Sequence, residues 1–393
     1  MARSTSSNRR RRRSRALHTL VLGTSLCGLA SWVLCGQTVV PFSPVRPTFL
    51  SGTSRARQEC RAYRVATVLA DAGQLAVTIG PRPAGSAGER RAAQYLRWRL
   101  RQLGYETQLQ EGLPLTPGEG QTCNVIGRRR GEARRPQVLI GAHYDSKARD
   151  DCPGANDNAS GVAVTLELAR LLASADLAYD PVVVFFGGEE QLGARSLVGS
   201  SYCAAHPPGG RLPAAMLCVD MVGRGPRTVV TCAGPRGKNF GALSSGVGQR
   251  LGLACESRYR LAGSDHVPFA LAGVPTAWVQ RLPDSANHTR RDTIKRLEPE
   301  ALEETGRLLA RLLLHFDPAY LHRPAVRANC CSNETQVSAI APDITARRPL
   351  ETSRGLGEIH GRIVRALGRT GEYAADSLTP GRLAGADTRT HRR

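Results

Sequence analysis

Aromatic side chains are scarce in this 393-residue chain, at 5% of the total. Proteins that hold single-stranded nucleic acid stack its bases on aromatics, so the scarcity counts against that class. No RNA-recognition module, zinc finger or basic zipper is legible either. CxxC pairs are absent, which excludes a zinc ribbon, and the lack of any internal repeat excludes solenoids and propellers. Acidic residues are outnumbered, 33 against 54 Lys and Arg, for a net charge of +21. Such a balance ordinarily points to nucleic acid or an anionic membrane, but much of the excess is local. Residues 9–13 are all arginine, and ten more arginines, from Arg347 to Arg393, fall in the last fifty residues. We therefore expect no nucleic-acid partner.

The arginine run is followed by an uncharged apolar stretch, LVLGTSLCGLASWVLCGQTVV, which reaches the ~20 residues a membrane helix needs. A secretory signal has a shorter apolar region of ~7–15 residues before a small-residue cleavage site, and no clean site of that kind is present. The reading is an N-terminal anchor with a cleaved signal as the alternative. Because flanking arginines stay in the cytoplasm, everything after Phe42 is expected outside it, membrane-anchored or secreted. An oxidising compartment would suit disulfides among Cys60, Cys123, Cys152, Cys203, Cys218, Cys232, Cys255, Cys330 and Cys331, with one thiol left over.

The boundaries follow from composition. Residues 1–15 are a basic cytoplasmic tail, 16–42 the anchor or signal, 43–58 a Pro, Ser, Thr and Arg linker, 59–324 a folded catalytic domain, and 325–393 a mostly disordered basic tail. Within the domain, GERRAAQYLRWRLRQLG spaces Ala92, Tyr95, Leu96 and Leu100 as an amphipathic helix ending at Gly104. Strand-like runs follow in PQVLIGAHYD, DPVVVFFGG, AAMLCVDMVG, TVVTCAG and VPTAWVQ. Helical patterns separate most of them: SGVAVTLELARLLAS with Ser160 as its cap, and PEALEETGRLLARLLLHF with Pro299 at a first helical position. Alternating strands and helices predict an α/β fold, a largely parallel, mixed central sheet with helices on both faces.

Chemistry collects where those strands end. FFGGEE finishes in Glu189 and Glu190, two adjacent carboxylates that a strand end does not need. GAHYDS supplies His143 and Asp145, GANDNASG Asp157, MLCVDMVG Asp220 and NHTRRDT His288. Each lies at or just beyond the C-terminal end of an apolar run, the edge of an open α/β sheet where ligands bind. A histidine at a strand end or an aspartate at a turn is ordinary when alone; five such motifs together are not. His, Asp and Glu without cysteine form the donor set of a catalytic divalent metal. Three carboxylates and two imidazoles exceed one tetrahedral zinc and suit two ions sharing a carboxylate. Asp157, in a Gly- and Asn-rich loop opening a helix, is the natural bridge.

These motifs resemble the secreted and membrane-anchored di-zinc aminopeptidases, which include bacterial leucyl aminopeptidases and yeast aminopeptidase Y. HYDS, GANDNASG, GEE, VDMVG, SDHVPF and HTRRDT, between Leu139 and Ile294, stand in that family's order. The resemblance implies the zinc-dependent exopeptidase fold and two zinc ions: His143 and Asp220 on one, Glu190 and His288 on the other, Asp157 on both. It also implies Glu189 as the general base and Asp145 as the group orienting His143, with peptides bearing a free N-terminus as substrates. Asp265 and His266 are expected to line the pocket and Asp292 to close it. Glutaminyl-peptide cyclotransferases, which use a single zinc, share HYDSK, GEE and DHVPF and give the runner-up reading. A dipeptide carboxypeptidase-type exopeptidase is a further alternative, and a receptor-like protein on a retired peptidase fold would be marked by a lost ligand. Both enzyme families usually place an aromatic residue where Asn287 stands here. The donor set does not choose among zinc, cobalt and manganese.

Overall fold

The computed structural model describes residues 62–322 apart from 116–119, 130–134, 150, 192–195 and 262. The basic tails, the apolar segment and the linker lie outside these residues, as do Cys60, Cys330 and Cys331. Among the described residues no helix is long and apolar enough to cross a membrane.

Eight strands form one sheet: β1 (Glu106–Pro114), β2 (Gln121–Arg128), β3 (Gln137–His143), β4 (Asp180–Phe186), β5 (Ala215–Val219), β6 (Arg227–Ala233), β7 (Cys255–Tyr259) and β8 (Thr276–Leu282). Their spatial order is β1-β2-β4-β3-β5-β8-β6-β7. The central neighbours β4-β3, β3-β5 and β5-β8 run parallel. Antiparallel pairing is confined to β1-β2, β2-β4 and β6-β8. The four parallel strands β4, β3, β5 and β8 therefore discharge their C-terminal ends on one edge, and the motifs identified above are those ends.

Side chains alternate across the pleat and feed two separate cores. Val138, Ile140 and Ala142 of β3, with Val183 and Phe185 of β4, join the cluster formed with helices α1 (Val65–Gly73), α2 (Ala87–Gln102), α3 (Gly161–Ala173), α5 (Gly237–Arg250) and α7 (Pro299–Leu314). Leu139, Val182, Val184 and Phe186 point the other way, to α4 (Val198–Ala205) and α6 (His266–Leu271). Helices thus cover both faces, as the sequence pattern predicts.

Helix ends follow local chemistry with one revision. Ser86 caps α2, its side chain accepting from the Glu89 N–H at 3.0 Å, and Pro299 opens α7. Ser160 does not cap α3: its backbone is already helical and its hydroxyl donates to the Asn156 carbonyl at 2.7 Å. Asn158 takes the role, its Oδ1 accepting from the Gly161 N–H at 2.9 Å and the Met221 N–H at 3.1 Å.

The disulfide expectation fails for the six cysteines among the described residues, Cys123, Cys152, Cys203, Cys218, Cys232 and Cys255, all of which are thiols. The physical reason is burial as small apolar groups: Cys203 and Cys218 pack in one core and Cys232 in the other.

Arg82 is fully buried, and no carboxylate lies within ion-pair distance of it among the described residues. Its Nε donates to the Tyr144 carbonyl at 2.7 Å, Nη1 to Pro153 at 2.5 Å and Nη2 to Gly154 at 2.7 Å. Burial pulls the guanidinium down to about 10, against Asp292 and Asp145, so it stays charged at neutral pH. It ties the chain just past β3 to the loop that carries Asp157. Replacing it with methionine leaves buried carbonyls without donors, each costing about 1–3 kcal/mol. Arg82→Met is expected to lower unfolding free energy by about 3–5 kcal/mol, measured as an earlier urea midpoint, with Arg82→Lys recovering part of the loss.

Candidate metal centre

His143 closes β3 and Asp220 follows β5, the strand hydrogen-bonded beside it. The imidazole Nε2 stands 3.3 Å from Asp220 Oδ1 and 3.2 Å from Asp157 Oδ1. His288, whose backbone takes a left-handed φ of 59°, places Nε2 3.1 Å from Asp157 Oδ2 and 3.2 Å from Glu190 Oε1. Asp157 thus offers one oxygen to each histidine. Three groups of donors lie within 4.8 Å: the triads His143–Asp157–Asp220 and Asp157–Glu190–His288, joined by that one carboxylate, and His143–Glu189–Glu190, which brings Glu189 to the same place.

Backbone geometry explains the small residues around them. A Cβ at Gly187 would meet Thr122 Oγ1 at 2.1 Å, and Gly188 turns with φ at +74°. Only the Gly-Gly pair lets β4 release Glu189 and Glu190 at this edge. Their N–H groups donate to Asp145, at 3.2 Å to Oδ1 and 3.1 Å to Oδ2. Asp145 Oδ1 also stands 3.6 Å from His143 Nδ1, so one buried carboxylate orders two motifs. The loop bearing Asp157 turns at Gly154, where φ is +58°, and contains a cis Asp157–Asn158 peptide.

Asp292 is buried, and its oxygens accept the backbone N–H groups of Asn156 at 2.7 Å and Asp157 at 2.9 Å, fixing the loop. Asp265 and His266 do lie near the strand-end edge. Burial raises the Asp265 carboxyl to about 7, and neither oxygen has a hydrogen-bond partner among the described residues. The His266 ring stacks on Trp278, centroids 5.4 Å apart, and burial lowers it to about 4. Asn287 Oδ1 is likewise buried without a partner among the described residues.

Two contacts were not foreseen. Trp278 Nε1 donates to Asp220 Oδ2 at 3.2 Å, and Lys147 Nζ donates to Glu190 Oε2 at 2.9 Å. Trp278 sits on β8, the strand beside β5, but alternation alone does not pick its partner. Lys147 stands in HYDSK, four residues past His143, which is the one available signal.

Electrostatics test whether this donor set fits divalent cations. Burial raises Glu189 well above the carboxylate range, with Glu190 and Asp265 adding to it against His143. Burial and Glu190 likewise raise Asp157. Burial opposes the Glu190 carboxylate too, but His288, His143 and Lys147 outweigh it and hold the group below the usual range. Hydrogen bonds to Asp157 and Glu190 push His288 up to about 10. The cluster concentrates negative charge out of water and draws positive charge to it; the donors grouped with the shared carboxylate among the described residues are imidazole nitrogens and carboxylate oxygens. The residues fit a pair of divalent ions.

Residues 124–313 match the profile of peptidase family M28. That segment is a peptidase family M28 domain. The M28 match encloses every residue of both triads. Aminopeptidase YwaD of Bacillus subtilis (strain 168) is 31% identical over 200 residues, covering 47% of this chain and 43% of the relative. The chain spans less than half the length of that relative and of the next, named "Probable zinc metalloprotease", from Leptosphaeria maculans. Among solved structures, BSAP, a zinc aminopeptidase from Bacillus subtilis, superposes with TM-score 0.56 at 20% identity over 63% of this chain and 94% of its own. Porphyromonas gingivalis glutaminyl cyclase does so with TM-score 0.56 at 24% identity over 64% and 98%. At these identities the likeness establishes the zinc-exopeptidase fold that the M28 domain adopts.

Proposed function

We propose that the M28 domain is a two-zinc exopeptidase that removes N-terminal residues from peptides. The observation that carries the reading is the division of Asp157, one oxygen at 3.2 Å from His143 and the other at 3.1 Å from His288. A shared carboxylate joining two triads is the arrangement a paired-metal site requires. The reading assigns His143 and Asp220 to one ion, Glu190 and His288 to the other, and Asp157 to both. When bound, the ions would supply Lewis-acid polarisation of the scissile carbonyl and lower the pKa of water at the site.

The chain's own residues account for the rest. Glu189 belongs to neither of the two triads that share Asp157, but it stands within 4.8 Å of His143 and Glu190. It takes a proton from the attacking water as the water oxygen bonds to the scissile carbon. The same proton passes to the amine nitrogen as the C–N bond breaks. Asp145 keeps the Glu189 backbone and the His143 ring in register for that exchange. The substrates would be peptides with a free N-terminus, met outside the cytoplasm by a membrane-anchored or secreted enzyme.

Hydrolysis of aminoacyl-p-nitroanilides by the zinc-loaded full chain, with a glutaminyl peptide alongside, tests the reading. Nitroaniline release that a chelator abolishes and zinc restores is the expected result. Ring closure of the glutaminyl peptide with no nitroaniline would replace it with the single-zinc cyclotransferase, whose solved representatives share this fold.

A further inference from the structure

The two triads differ in the charge placed behind them. On one side, Glu190 is divided between two partners. Its Oε1 faces His288 Nε2 at 3.2 Å, while its Oε2 is held by Lys147 Nζ at 2.9 Å. The same ammonium also donates to the Glu190 backbone carbonyl at 3.1 Å. Two bonds to one residue fix the cation against this triad, and its side chain is only 18% exposed, so water screens it poorly. Lys147 therefore restricts Glu190 to one free oxygen and sets a positive charge one carboxylate away from where an ion would sit.

Among the described residues the other triad has no counterpart. His143 is backed by the Asp145 carboxylate at 3.6 Å, and the second oxygen of Asp220 receives a neutral donor, Trp278 Nε1, at 3.2 Å. Solvent access differs as well: the side chain is 1% exposed for His143 and 43% for His288. Arg82 lies behind the loop that carries the shared Asp157 and bears on both triads through it, so it does not offset the difference.

We infer that Lys147 makes the two metal positions unequal, weakening cation binding at Asp157–Glu190–His288 relative to His143–Asp157–Asp220. The inference rests on the two-metal reading above. It makes Lys147 a positioning residue that acts through Glu190, and it makes the rim position the one filled last and emptied first.

Calorimetric titration of the metal-free full chain with zinc tests it directly. The wild type is expected to bind in two steps. His288→Ala should remove the weaker step and His143→Ala the tighter. Lys147→Met deletes the charge while keeping an apolar stem, and should tighten the weaker step by about tenfold or more, since removing a like charge beside a buried ion has at least that effect. The tighter step should not move. Lys147→Arg keeps the charge and should keep the wild-type separation. The proposal is overturned if Lys147→Met leaves both steps in place, or if it loosens the weaker step, which would mean that the lysine helps Glu190 to bind. One step of unit stoichiometry in the wild type and in both lysine variants would instead overturn the two-metal reading itself, an outcome distinct from equal steps.

Discussion

Glu189→Gln is expected to hold zinc as the wild type does while turning over aminoacyl substrates about 10²–10⁴-fold more slowly, the range general-base catalysis supplies. The separation follows from where the residue is anchored. Its N–H is bonded to Asp145 Oδ1 at 3.2 Å, and that bond uses the backbone, so an amide side chain of the same shape does not disturb the turn. Asp145 continues to hold the Glu190 N–H at 3.1 Å, which keeps the neighbouring ligand in place. What is lost is the ability to accept a proton from water and return it to the amine. The two quantities to compare are zinc per chain, by elemental analysis, and initial rate. A variant that loses zinc would make Glu189 a ligand, and one that retains the rate would remove it from the chemistry.

Asp157→Ala is expected to abolish both zinc sites at once, whereas Asp220→Ala and His288→Ala should each remove one. The asymmetry follows from the shared carboxylate: both triads include Asp157, and no other residue belongs to both. The loop itself should survive the change, because Asp292 grips the backbone N–H groups of Asn156 and Asp157 rather than the side chain. Zinc-linked stabilisation gives a second readout. A ligand at a hundredfold its Kd adds about 2.7 kcal/mol per site, so the wild type should unfold later with zinc than without, and Asp157→Ala should unfold at the same point in both. A variant that still bound two ions would refute the bridge.

Both predictions depend on a cluster whose charges need compensation. The same carboxylates act on the imidazoles: Asp157 and Glu190 push His288 up to about 10, and Asp220 and Asp145 raise His143 against its burial. The affinity for protons and the expected affinity for zinc have one origin: buried carboxylates arranged to face each other.

The amino-acid sequence by itself marked five of the eight described strands, β3, β4, β5, β6 and β8, three of the seven described helices, α2, α3 and α7, and the residues that meet in both triads; β1, β2 and β7 went unmarked. Short continuous apolar runs mark the central strands, which are buried on both faces, and in parallel strands their ends gather on one edge, so residues just past those ends become neighbours whatever packs elsewhere. Tertiary structure alone decided the supporting contacts. Asp292 reaches Asp157 across 135 residues, Arg82 reaches Gly154 across 72, Trp278 reaches Asp220 across 58 and Lys147 reaches Glu190 across 43. Asn158 displaces Ser160 as the cap of α3 because Met221, from the next parallel strand end, shares its oxygen. The six described cysteines are thiols, four of them buried, because core position, not their number, decides which sulfurs meet. Periodicity is a local property of the chain and can be read from it; which distant hydrogen bond satisfies a buried polar group depends on how the layers pack.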